Sequence, residues 1–500
     1  MRLNWLQRGP RSAPPEAEGY APVLLDSDPS NEKLGEPAPA RSWLSHLVWL
    51  LPSFLHPSNG VSSGRRMSPT AWLDGLRGIA AFIVVWHHSS LVYFSWSIHD
   101  AWRDATSPLV QLPLVRLVLA GIPAVCIFFV ISGYAISLKL LRLSHQGRAP
   151  EFLDALSSSL FRRHPRLFMP AAFVLLTTAL LSFAGAFPTE AWSPHVAIAT
   201  RVPPRADSLW YQLLDWARRA WALAYPIRNT INSRDVNPYD PNLWTLPVEF
   251  GCSFLVFTLL AVTFKFRPFV RMAFVLVLII YCLARAEQNV FLFLSGLFLA
   301  DIRTYRTLRS DTSTPQLPVA SDSPAPVPTS RKRSLARYLA PFVALFVSLY
   351  LLSMPEWNKG GKDAPGYATL ASMIPRVYHE VKKVDYFWVP LAAVFLVGTL
   401  DSAPSLQRIF TSRFAQYLGD ISFSIYLVHG PLLWSYGAWL APRLIPTGED
   451  VSDAQYGWGV ALCYLCFWPV VIYEADLVTR VVDGKSVQFA RWVYNKLVKS

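Results

Sequence analysis

Two side chains whose types and spacing suit chemistry stand in one apolar stretch, LDGLRGIAAFIVVWHHS: Arg77 and His88. On an α-helix their separation of eleven positions leaves the two within about 20° of one another and about 16 Å apart along the axis, so they share a face. His87, one residue earlier, points about 80° away from Arg77 by the same arithmetic. Ionisable groups inside a membrane usually face a bundle interior or a polar cavity. There an arginine near one helix end can grip a phosphate, and a histidine deeper in can take and return a proton. The plainer alternative makes Arg77 a snorkelling anchor and His88 a histidine bonded to a neighbouring helix. Two ionisable groups on one face favour the chemical reading.

Holding such residues requires membrane helices, and the composition supplies them. The 500 residues are 52% hydrophobic, 14% aromatic and only 16% charged, against about 25% charged in soluble chains. Disordered, collagen-like and disulfide-scaffold classes are excluded. The net charge of +13 comes without any zinc-finger, RNP-type or basic heptad signature, so it reads as membrane topology, with no nucleic acid partner. Five cysteines, all inside apolar stretches, predict small buried side chains and neither a disulfide framework nor a metal site.

The hydropathy pattern predicts an all-α integral membrane protein with about ten transmembrane helices in one bundle. The apolar stretches are 71–95, 115–138, 167–187, 244–264, 268–284, 288–304, 336–353, 386–400, 414–440 and 456–478. Lys and Arg are in excess on the side that holds the N-terminus, which favours an even number of spans with both termini cytosolic. Residues 1–70 read as a disordered, Pro-rich cytosolic tail with an interfacial helix at 43–55. Residues 71–480 form the transmembrane domain, interrupted by a flexible Pro/Ser-rich linker at 307–334, and 481–500 form a basic cytosolic tail. The segments 188–243 and 354–385 read as long loops on the far side of the membrane.

These residues resemble a known family, the acyltransferase-3 group of multi-pass membrane O-acyltransferases, along roughly Trp72 to Asp476. The family's first span carries Arg or Lys, ten residues and then His, inside an LDGLRGIAA-like opening that Arg77 and His88 match. CIFFVISGY, Cys126 to Tyr134, is similar to its FFVISG segment, with Gly133 permitting close helix approach. Arg163-His164-Pro165-Arg166, beside Arg162, fits its Arg-x-x-Arg motif, and planar guanidiniums suit coenzyme A phosphates. NLWTLPVEF resembles the Trp-x-Leu-x-x-Glu segment and puts Glu249 about two turns inside a span, where a carboxylate needs a partner. Its expected role is to orient His88 or raise its basicity. ISFSIYLVHGPLL resembles a late span and sets Tyr426 and His429 on one face, suited to line the acceptor pocket.

The resemblance implies transfer of an acyl group, expected to be acetyl, from acyl-CoA to a hydroxyl, with His88 as general base. Acyl-CoA is then a co-substrate and no cofactor is resident. The acceptor is a hydroxylated small molecule, secondary metabolite or glycan, since the Pro-rich ends, the basic linker and the closing VVDGKSVQFARWVY resemble filamentous-fungal members. The endoplasmic reticulum or another endomembrane is the default location. Two alternatives stand beside this reading. A transporter or flippase would use the same intramembrane charges but should show repeats, and none is seen. The unrelated membrane-bound O-acyltransferase group places its histidine in a late span without the Arg-to-His pair.

Overall fold

The computed structural model describes residues 51–56, 67–94, 96–188, 202–225, 236–312, 331–448 and 450–498. Every regular element among them is helical. The first helix, α1, spans Ala71–Tyr93, followed by α2 (Gly121–His145) and the long α3 (Ala149–Phe183). A shorter α4 (Leu209–Ala224) precedes α5 (Thr245–Val262), α6 (Pro268–Ala284) and α7 (Gln288–Thr312). Then come α8 (Arg331–Leu352), α9 (Trp388–Ser402), α10 (Arg413–Leu432), α11 (Ala438–Leu444), α12 (Asp453–Val478) and α13 (Gly484–Leu497). Each of the ten apolar stretches is occupied by one of these helices, with 414–440 shared by α10 and α11. Among the described residues, five helical stretches are long and apolar enough to cross a bilayer: Gly121–His145, Ala149–Phe183, Pro241–Val262, Val384–Ser402 and Asp453–Leu497.

Helix α1 is buried on two sides, as expected of a helix that is apolar nearly all round. Leu73, Leu76, Ala80 and Val84 pack into one core with α2, α5, α7 and α9. Ala81, Val85 and Val92 pack into a second core with α3, α10 and α12. In lipid there is little hydrophobic force between helices, so close approach and polar bonds must hold them. Glycine supplies the close approach. A Cβ on Gly78 would stand 2.3 Å from the Gly419 nitrogen on α10, and one on Gly133 of α2 would stand 2.1 Å from the Phe293 carbonyl oxygen on α7. A buried polar knot fastens α2, α6 and α7. Arg271 grips Asp301 through Nε at 2.7 Å and Nη2 at 2.8 Å, and also reaches Ser144 and His145.

The structure departs from the sequence expectations in several places. Segment 188–243 is not simply a loop, because α4 lies alongside α3 in the opposite direction. Trp216 Nε1 donates to the Ala172 carbonyl at 3.0 Å and His164 Nε2 to the Ala224 carbonyl at 2.7 Å. Ser208 caps α4 by accepting from the Tyr211 amide. The expected linker also begins later, since α7 continues to Thr312; residues 313–330 lie outside the described residues. Of the expected interfacial helix at 43–55 only the end is described, a short turn over Ser53–Leu55. There Ser53 contacts Asp476, which also pairs with Arg480 at 2.7 Å. The expected disordered tail at 1–42 lies outside the described residues.

Helix α10 does not end cleanly. Pro431 has no N–H to give to the carbonyl one turn back, and residues Leu433–Gly437 form a π-helical turn before α11. Such widened turns occur often at functional sites. This one begins one helical turn after His429.

Candidate active site

Helices α1 and α10 run parallel. Arg77 meets Gly419 and Ser422 near one end of the pair, and His88 meets His429 toward the other. Arg77 Nη2 donates to the Gly419 carbonyl at 2.7 Å and Nε to Ser422 Oγ at 2.8 Å, with Asp74 at 3.6 Å. This arginine therefore joins two helices as well as contributing charge. His88 Nδ1 lies 2.9 Å from His429 Nε2, and the two rings are parallel within 4°. His87 points elsewhere: its Nδ1 donates to the Leu119 carbonyl at 2.7 Å, and its ring lies against Gly121.

Around the two histidines lies the segment that leads into α5. Asn242 Nδ2 is 3.3 Å from His429 Nε2. The Tyr426 hydroxyl donates to the Asn242 carbonyl and therefore accepts from Thr245 Oγ1, 2.6 Å away. Asp240 accepts the Asn242 amide at 3.0 Å. Asp240 and Asn242 also press against Gly430, where a Cβ would come within 2.9 Å and 2.8 Å of them. Just before this segment, burial and the hydrogen bond to Asp215 push the Tyr239 phenol up. Asn242, Thr245 and Asp240 were not singled out from the sequence, although the first two sit inside the NLWTLPVEF segment. A polar residue at a helix start has many ordinary uses, so its type alone carried no signal.

Glu249 is placed differently from its expected role. Its Oε1 accepts from Arg163 Nη2 at 2.8 Å and from Ser132 Oγ at 3.1 Å, whereas His88 Nδ1 meets His429. Arg163 also reaches Ser253 Oγ at 3.2 Å. A carboxylate on α5 and an arginine on α3 thus satisfy each other, and His429 takes the place beside His88. Arg166 stands within electrostatic reach of Arg77, Arg163, Asp483 and Glu249. Arg77, Arg163 and Arg166 form one basic neighbourhood with carboxylates between them. Arg162 folds back along its own helix to the Ser158 carbonyl at 3.2 Å. His429 and Tyr426 share a face as expected, with ring centroids 5.9 Å apart.

At the far end of α1, His99 Nε2 pairs with Ser90 Oγ at 3.0 Å. Burial, with His87, Lys359 and Arg116 nearby, lowers the His99 pKa to about 3.

The site thus holds a pair of hydrogen-bonded histidines with a basic neighbourhood toward one end of the same helix. Comparison with known proteins decides the class, because the family profile described as "Acyltransferase domain" matches residues 70–474. The chain belongs to the acyltransferase-3 family. This acyltransferase is 38% identical over 467 residues to the O-acetyltransferase PaAT-1 of Phomopsis amygdali, covering 91% of this chain and 90% of that protein. It is 26% identical to the acyltransferase R4 of a Phoma species, over 80% of this chain and 91% of the relative. The acyltransferase clz18 of Cochliobolus lunatus is also 26% identical, over 83% and 93% respectively. No solved structure matches the chain.

Proposed function

We propose that this acyltransferase moves an acetyl group from acetyl-CoA to a hydroxyl of a small-molecule acceptor, with His88 as the general base. The observation that carries the reading is the position of His88. It lies on α1, the helix that packs into both cores, and is paired with His429, while Arg77, Arg163 and Arg166 gather toward the start of the same helix. In the reaction His88 takes the proton of the acceptor hydroxyl as its oxygen attacks the thioester carbonyl. The carbon–oxygen bond forms, the carbon–sulfur bond breaks, and the proton passes from His88 to the departing thiolate. The net products are the acetyl ester and coenzyme A.

The arginines would hold the coenzyme A phosphates, since charged hydrogen bonds from planar guanidiniums suit phosphate oxygens. Glu249 keeps Arg163 extended toward that site. The name of the Phomopsis amygdali relative, an O-acetyltransferase, supports acetyl transfer, and the names of the other two support acyl transfer. Ten spans with both termini cytosolic remain the topology we favour. The parallel course of α1 and α10 agrees with it, because the first and ninth of ten spans cross in the same direction. An endomembrane such as the endoplasmic reticulum is the proposed location.

The test is thioester consumption from acetyl-CoA by detergent-purified protein supplied with extracted fungal metabolites. His88→Ala should lower the rate at least 100-fold, within the range for a general base. His87→Ala should keep most of it. Full activity in the His88 variant would end the general-base assignment.

A further inference from the structure

We propose that His429 is a positioning residue that fixes the tautomer of His88, so that the basic lone pair of His88 stands on Nε2. The assignment rests on the acyl-transfer reading for its purpose, but the tautomer follows from geometry alone. His429 Nδ1 lies 3.1 Å from the Ile425 carbonyl oxygen. A carbonyl only accepts, so His429 Nδ1 carries the hydrogen. In a neutral ring the other nitrogen, Nε2, is then an acceptor. Its two polar neighbours match, because the Asn242 amide nitrogen stands 3.3 Å away and His88 Nδ1 stands 2.9 Å away. His88 Nδ1 must therefore donate, which leaves the basic electron pair of neutral His88 on Nε2. Fixing the tautomer through a bond to the second nitrogen is how histidines are tuned for proton transfer.

The neutral form of His429 is the one the site supports. Its side chain has no solvent exposure, and an unpaired charge there would be costly. Among the described residues, the titratable and charged groups around it are His88, the Tyr426 phenol and Asp240 beside Gly430, while Glu249 is occupied by Arg163. A protonated His429 would donate to His88 instead and move the lone pair to the wrong nitrogen.

The packing explains why the two rings meet. Gly78 and Gly419 touch where α1 and α10 cross. His88 and His429 each follow their glycine by ten residues. Parallel helices rise equally over ten residues, about 15 Å, so the rings arrive at one level. Asn242 and Asp240, pressed on Gly430, close the side of His429 that faces α5.

The experiment has two arms. In the first, ring-nitrogen NMR of histidine-labelled wild-type protein in lipid, with His88 assigned by its loss in His88→Ala, should show Nδ1 protonated and Nε2 bare at pH 7.5. A bare Nδ1 on His88 would overturn the proposal without any variant of His429. In the second, His429→Gln, whose amide oxygen can still accept from His88 Nδ1, should turn over at least tenfold faster than His429→Phe. The half-saturating acetyl-CoA concentration should stay within twofold of wild type in both. Equal rates for Gln and Phe would overturn the positioning role. If His88→Ala itself kept full activity, the general-base reading would fall, and the NMR arm would still decide the tautomer.

Discussion

His429 stands beside His88, the place expected of Glu249. A carboxylate beside a histidine is the commoner catalytic pairing, yet the carboxylate here belongs to Arg163 and Ser132. Arg163 is nearly buried, with a side-chain exposure of 9%. Removing its partner leaves a buried charge uncompensated, which is destabilising. Glu249→Ala is therefore expected to lower the thermal midpoint in detergent and to raise the half-saturating acetyl-CoA concentration several-fold. Glu249→Gln, which keeps the hydrogen bond, should lose less of both. A variant with normal midpoint and normal acetyl-CoA dependence but a rate as low as that of His88→Ala would return Glu249 to the proton chemistry.

Element-scale behaviour follows from the α1–α10 contact. Because a Cβ on Gly419 would stand 2.5 Å from the Asp74 carbonyl oxygen and its neighbour Gly78 already touches the Gly419 backbone, even a methyl group must push the helices apart. Overpacking of this kind costs about 1–3 kcal/mol. Its larger effect should be on geometry, since a displacement of about 1 Å in a catalytic pair can cost about 100-fold in rate. Gly419→Ala is expected to remain folded by size-exclusion profile and to lose at least tenfold in turnover. Gly457, near the start of α12, has nothing within 4 Å of an added Cβ, and Gly457→Ala should behave as wild type. Equal activity in the two alanine variants would show that the close contact does not set the spacing of His88 and His429. Helix α4 makes a related point. Its apolar period was present in the sequence, but nothing local indicated that Trp216 and Ala224 would attach it to α3.

At the scale of the whole molecule, a buried neutral histidine, His99, lies beyond the end of α1. Folding holds the His99 pKa near 3, against about 6.5 in an unfolded chain. Its contribution to stability is thus complete above pH 6.5 and declines as pH falls toward 3. Between pH 6.5 and 5 the loss should reach about 1–2 kcal/mol, read as a falling thermal midpoint in detergent. His99→Gln should flatten that slope, and an unchanged slope would assign the acid sensitivity to other groups. The same molecule-wide view separates what the chain dictates locally from what folding decides. Composition and apolar length were sufficient for an all-helical membrane protein, because lipid requires satisfied backbone hydrogen bonds and long apolar segments. Helical periodicity was sufficient to place Arg77 and His88 on one face and to set His87 apart, since both follow from 3.6 residues per turn. Which residue stands beside His88 depends on two helices more than 300 residues apart in the chain meeting at Gly78 and Gly419. That contact, and with it the pairing of Glu249 to Arg163 and of His429 to His88, is a property of tertiary packing that no local pattern encodes.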